Sequence, residues 1–169
     1  MPAITRAQTG TFEEYAAAAW PSLYRHAYLL SGNHADAEDL AQQTLIKAHG
    51  AWSKVARVEA PQTYVRRILI NTFLSTKRPM GRRLEVLAGD NAPEAAAPPT
   101  AGPEDRMTLW PQVRELPPRQ RAVIVLRYYE QLSEAEIADA LGCSRGTVKS
   151  TAHRALQNLR TALGDGRNE

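Results

Sequence analysis

The stretch LSEAEIADALGCSRGTVKSTAHRALQNLR, Leu132 to Arg160, decides how the chain folds. Ser133 and Glu136 have the S-x-x-E spacing of a capping box, in which each side chain satisfies the other residue's backbone N–H at a helix start. Ile137, Ala138 and Leu141 supply the apolar face of that helix, and Gly142 suits the left-handed turn that ends it. Cys143 and Ser144 then turn the chain, with Ser144 placed to cap a second helix. In the second helix Val148, Ala152, Ala155, Leu156 and Leu159 form one stripe, and Gly146, Ser150, His153, Arg154 and Gln157 lie broadly opposite. Arg145 and Lys149 flank its N-terminal end. A short helix, a Gly-containing turn and a second helix with a basic, acid-free surface make a helix-turn-helix. Such a motif places its second helix in the major groove of DNA. Arg145 and Lys149 suit guanine O6 and N7, while Ser150 and His153 suit bases or phosphates. The competing reading is a helical hairpin that merely packs; the agreement of caps, turn and charge favours the DNA reading.

Upstream of this motif the chain is helical in period, without strand-like alternation of useful length, which predicts an all-α protein of two lobes. Thr11 and Glu14 form another capping-box pair, followed by Phe12, Ala16, Ala19, Leu23, Ala27 and Leu30 at helical spacing. Pro21 is expected to split or kink this run near Trp20, and Ser31-Gly32 to stop it. A helix over about 36–51 carries an inward stripe of Ala37, Leu40, Ala41, Thr44, Leu45, Ala48 and Trp52. Pro61, a favourable first helical position, opens a helix to about residue 78 with Val65, Ile68, Leu69, Thr72 and Thr76 inward. Residues 79–103, with five Pro, six Ala and three Gly, read as a linker between a first domain, 1–78, and a second, 104–169. The second is expected to open with a helix over 106–115, complicated by Pro111, and another over about 118–130.

The 169 residues carry 21 Lys and Arg against 18 Asp and Glu, a formal charge of only +3, so composition alone does not demand nucleic acid. Distribution says more. Residues 61–83 hold six basic residues and no acidic one, and residues 140–164 hold four and none. Single-sign stretches attract phosphate, though either alone equally suits a solvated face. The lone Cys143 excludes an internal disulfide or a multi-thiolate metal site, and reads as a small residue in a packed turn. His26, His34, His49 and His153 lack metal-ligand spacing, so neither metal nor cofactor is expected. No apolar run approaches the ~18 residues of a spanning helix. MPAITRAQTG lacks a secretory apolar stretch, so a cytoplasmic location is expected.

With both lobes in view, the segment LPPRQRAVIVLRYYEQLSEAEIADALGCSRGTVKS closely resembles region 4 of extracytoplasmic-function sigma factors. YLLSGNHADAEDLAQQTLIKAHGAW and APQTYVRRILINTFLSTKR resemble their region 2, and the whole looks most like the SigE-type branch. Together the resemblance covers roughly residues 11–78 and 104–162. It implies a bacterial sigma factor that joins core RNA polymerase and directs initiation at −35 and −10 promoter elements. By resemblance, the helix holding the D-L-x-Q motif docks on the β′ clamp helices through Asp39, Gln42, Gln43 and Ile46, and region 4 meets the β flap. Gln43 stands where many members have an acid.

The helix from Pro61 matches the family's −10 element, with Tyr64, Arg66, Arg67, Asn71, Ser75, Lys77 and Arg78 on its polar side. That set suits single-stranded DNA: cations for the backbone, an amide for a base edge, an aromatic for stacking. Tyr64 suits a core position equally well. The preceding loop, 54–60, is implied as the pocket for an extruded base, and Ser75 replaces a common Asp. In the region 4 helix the matching −35 residues are Arg145, Thr147, Lys149, Ser150, His153 and Arg154. Thr151 stands where Arg is common, which implies one backbone contact fewer.

A 25-residue linker reaches at most about 80 Å, over two ~34 Å turns of B-DNA. Glu85, Asp90 and Glu94 within it suit either mimicry of RNA charge in the polymerase exit path or a plain tether. An anti-sigma factor is a further partner that the resemblance implies. Two other classes compete with this reading. A stand-alone dimeric regulator would bind operators tightly without polymerase, yet would have no need of the basic, aromatic-bearing helix at 61–78. An enzyme with a DNA-binding tail would need a phosphate loop, metal cluster or nucleophile–base pair, and none is visible; Asp36, Glu38 and Asp39 read as acids favoured at a helix N-terminus.

Overall fold

The computed structural model describes residues 10–76 and 103–165, with side chains at 10–76 and 108–164. Lys77, Arg78 and nearly all of the expected linker lie outside the described residues. The chain divides into two compact units, Met1–Lys77 and Arg78–Glu169, and no strand occurs among the described residues.

The first unit contains α1 (Phe12–Ser31), α2 (His34–Gly50), the single turn α3 (Trp52–Val55) and α4 (Pro61–Thr76). The Thr11–Glu14 capping box opens α1: Glu14 N–H donates to Thr11 Oγ1 at 3.3 Å, and Thr11 N–H donates to Glu14 Oε2 at 3.1 Å. Such caps stabilise a helix by about 1 kcal/mol. The expected break at Pro21 does not occur, and α1 runs unbroken for 20 residues. Pro21 is exposed, so the carbonyl its ring deprives of a partner faces water. The buried stripe of Tyr15, Leu23, Ala27 and Leu30 continues across it, so packing on both sides holds the helix together. Gly32, at φ 86°, ends α1 in the left-handed conformation and donates to the Tyr28 carbonyl.

Asn33 caps α2 by accepting from Asp36 N–H at 2.9 Å, so the helix starts two residues earlier than its apolar period suggests. α2 lies between α1 and α4. Its inward residues are small, with Ala37, Ala41 and Ala48 wholly buried, which lets its neighbours approach closely. Buried Thr44 satisfies its hydroxyl on the Leu40 carbonyl at 2.7 Å. Trp52 belongs to α3 instead of the α2 stripe, and its ring meets Phe12 edge-on at 5.5 Å.

On α4 the core is formed by Val65, Leu69, Ile70, Thr72 and Phe73. Thr76, expected inward, is exposed, and Ile68 is only half-buried. α4 touches both α1 and α2, so its buried face is wider than one stripe and takes in Ile70 and Phe73.

The second unit contains α5 (Pro103–Glu115), α6 (Pro118–Ile124), α7 (Glu134–Leu141) and α8 (Arg145–Asp165). Pro111 lies within α5 on an exposed position and does not stop it. The expected helix over 118–130 is present, but its last turn, Val125–Tyr129, is π-helical, and Glu130 N–H reaches back to the Val125 carbonyl at 3.0 Å. Gln131, at φ 57°, then reverses the chain into α7. The buried faces of α6, α7 and α8 meet around Val123, Ile124, Ile137, Val148, Ala152 and Ala155.

Candidate nucleic-acid interface

The turn between α7 and α8 is built as its sequence requires. Ser133 and Glu136 complete their capping box at 3.2 and 2.8 Å, fixing the start of α7. Gly142 adopts φ 62°, and Cys143 N–H donates to the Ala138 carbonyl at 3.0 Å. Ser144 Oγ accepts from Thr147 N–H at 3.1 Å and opens α8. Each bond fixes the angle at which α8 leaves α7, and so where its first turns are presented.

Arg145 and Lys149 sit one turn apart at that N-terminal end, and their side chains are 68% and 42% exposed. Arg154 is exposed and His153 half-exposed farther along. Thr147 is half-buried, its hydroxyl 3.0 Å from Ser144 Oγ as part of the cap. Ser150 is a correction. It is only 6% exposed, and its hydroxyl donates to the Thr147 carbonyl at 3.1 Å. The apolar stripe of α8 is broad enough, against α6 and α7 together, to take in Ser150 and Thr151. Thr151, at 6% exposure, is thus a packing residue where the family pattern places a cation.

The surface around this end is also not acid-free. Glu134, in the first turn of α7, brings Oε2 within 4.0 Å of Arg145 and 3.9 Å of Lys149, while Oε1 lies 3.9 Å from Arg127. Arg127 also stands 5.6 Å above the Tyr128 ring. Sequence reasoning missed both residues, because charge was read along α8 and the acid comes from its neighbour. Its position at the first turn of the preceding helix was the available signal.

On α4 the residues Thr63, Arg67, Asn71 and Ser75 recur every fourth position and are all exposed, forming a ladder along one face. Ser75 donates to the Asn71 carbonyl at 2.7 Å. Tyr64 is half-buried beside the ladder. Arg66 departs from the expected polar side: it is half-buried, its Nε is out of solvent, and it lies toward Ile70 and Phe73 on the helix. Of the expected pocket loop, 54–60, the first two residues belong to α3.

α2 places Asp39, Gln42, Gln43 and Ile46 outward, and all four are exposed. Ile46, at 69% exposure, is one of two large hydrophobic side chains exposed among the described residues. Gln42 donates to Glu38 at 3.3 Å. Asp39 and Gln43 also line a cavity of about 180 Å³, together with Ser31, Asp36, Leu40, Phe73 and Thr76. No group of three metal-ligating side chains, and no helix long and apolar enough to cross a membrane, is found among the described residues.

This geometry, a bundle with a polar ladder and a separate helix-turn-helix, matches two family models in sequence. Residues 17–83 match Sigma-70 region 2, and residues 107–159 match Sigma-70 region 4. The RNA polymerase sigma-E factor of Streptomyces avermitilis is 41% identical over 153 residues, covering 90% of this chain and 84% of the relative. That of Streptomyces coelicolor is 40% identical, covering 90% and 85%. Among solved structures, the sigma factor RpoE in complex with the anti-sigma factor NepR from Bartonella quintana aligns with a TM-score of 0.64. It is 31% identical, with 90% of this chain and 96% of that one covered. The chain belongs to the extracytoplasmic-function sigma factors of the sigma-70 family, which are transcription initiation factors.

Proposed function

We propose that the two outward cationic helices of this sigma factor divide the reading of one promoter, α8 taking the −35 element as duplex and α4 the −10 element as single strand. The observation that carries this is the contrast of their exposed residues. α8 concentrates Arg145 and Lys149 on its first two turns, where a helix entering the major groove meets base edges. α4 instead spreads one cation, an amide and two hydroxyls along a ladder beside a half-buried aromatic, which suits unstacked bases. His153 and Arg154 on α8 are assigned to backbone phosphates, and Lys77 and Arg78, which follow α4 in the sequence, to the −10 element.

The outward face of α2, with Ile46 set among Asp39, Gln42 and Gln43, is assigned to core polymerase, at the β′ clamp helices. An isolated exposed isoleucine gains by burial in a partner, about 1.5–3 kcal/mol for a whole side chain. The second unit is assigned to the β flap. In this reading the chain performs no catalysis of its own and works in the cytoplasm, where polymerase and promoter are. The chain's similarity to RpoE, solved with its anti-sigma factor NepR, supports an anti-sigma protein as a further partner.

Reconstitution with core polymerase tests the assignment. The holoenzyme is expected to initiate at a defined set of promoters in a genomic library, whereas the free chain shifts the same DNA weakly. Tight operator binding by the free chain, with no initiation by the holoenzyme, would instead identify a stand-alone regulator.

A further inference from the structure

Glu134 is drawn into the cationic end of α8 by the ion pairs described above, and it is anchored where the cations are not. Its backbone sits in the first turn of α7, immediately after the Ser133 cap and between the two partners of the capping box. Its side chain is largely covered, at 22% exposed, against 68% for Arg145 and 42% for Lys149. The long, exposed side chains therefore come to the fixed acid. A single oxygen, Oε2, faces both of them, while Oε1 is directed at Arg127.

We propose that Glu134 is a specificity-determining residue for the −35 element: it positions Arg145 and Lys149 together and lowers their appetite for backbone phosphate. The proposal rests on the reading that these two cations face DNA. An ion pair of this exposure is weak, so a base edge can draw Arg145 away from it. Phosphate is present at every DNA site, and attraction to it carries no sequence information. A carboxylate between two cations leaves the trio with one net positive charge in place of two, and it repels a phosphate that approaches both. Guanine, by contrast, offers two acceptors to a guanidinium in one plane and brings no charge. One of the two cations can therefore be surrendered to a base while the other stays on Glu134. Held this way, the pair loses more on non-specific DNA than on its own element.

The test compares holoenzymes carrying the wild-type chain, Glu134→Gln, Glu136→Gln, Arg145→Ala and Lys149→Ala. Each is titrated with the most strongly transcribed promoter and with the same duplex scrambled at −35, across a salt series. Glu134→Gln is expected to tighten binding to the scrambled duplex and to steepen the salt slope by about 0.9, one phosphate's worth. Discrimination should fall roughly three- to tenfold, within the range of one base contact. Glu136→Gln, which alters another first-turn acid of the same helix, should leave discrimination intact. In an Arg145→Ala, Lys149→Ala background the Glu134→Gln effect should vanish.

Unchanged discrimination in Glu134→Gln, with loss in Arg145→Ala or Lys149→Ala, overturns the role of Glu134 and leaves the DNA reading standing. Equal losses in Glu134→Gln and Glu136→Gln mark a merely structural effect and also overturn it. If neither Arg145→Ala nor Lys149→Ala changes discrimination, the DNA reading falls and this proposal with it.

Discussion

α4 and α8 each bury one face in their own unit and expose a polar face, yet the two outer faces are organised by different forces. On α8 the exposed end is charged and held from outside, by the Ser144 cap and by Glu134 across the turn. On α4 the exposed ladder of Thr63, Arg67, Asn71 and Ser75 is mostly neutral, and the helix contains no acidic residue. On the proposed assignment, the difference follows from what each surface would meet. A duplex offers a dense array of phosphates, so a helix proposed to read it gains specificity if its cations are restrained. A separated strand offers bases whose edges and faces are open, so amides, hydroxyls and aromatics suffice. What holds the two helices in place differs as well: α4 is seated by large side chains such as Phe73, and α8 by small ones such as Ala152 and Ala155 beside Val148.

The largest expected effect tests the seating of α4. Phe73 is wholly buried, so Phe73→Ala should destabilise the first unit by about 3–5 kcal/mol. Denaturant unfolding followed by tryptophan fluorescence measures it, and an effect below 1 kcal/mol would mean that the ladder does not depend on this core. Next comes the contrast in DNA contacts, measured on reconstituted holoenzyme. Arg145→Ala should cost about 1–3 kcal/mol of −35 discrimination. Asn71→Ala should cost promoter opening only about 0.5–1.5 kcal/mol, with no change in salt slope. Permanganate reactivity of opened thymines reports the second, and a salt slope altered by Asn71→Ala would erase the proposed distinction.

A smaller effect is expected at Gln131, the one non-glycine residue of positive φ among the described residues. Gln131→Gly should raise the stability of the second unit by roughly 1 kcal/mol, since a left-handed conformation strains an L side chain. Thermal melting checks the sign. Smallest of all is Ser150→Ala, which should change −35 affinity by less than about 0.5 kcal/mol, because the hydroxyl is buried on its own helix. A tenfold loss of DNA affinity there would restore Ser150 as a contact.

Much of the site was legible because it is local. Capping boxes, left-handed glycines and the acid-poor runs of α4 and α8 depend on neighbours within a few positions, and periodicity reports them directly. Errors arose where two helices press on a third. A single stripe predicts Ser150 and Arg66 outward, whereas α8 and α4 each bury a wider arc against two partners. Pro21 was expected to break α1 on local grounds, and packing along both sides of it prevailed.

Sequence by itself determined the all-helical class, the helix-turn-helix and the residues Arg145, Lys149, Asn71 and Ile46 as outward candidates, since short-range hydrogen bonding and helical period need no tertiary information. Only the tertiary structure decided that Glu134 and Arg127 join the cationic end of α8, and that Ser150 leaves it. The reason is geometric: an ion pair or a buried hydroxyl is set by which helices meet and at what angle, and that is a property of the packed unit.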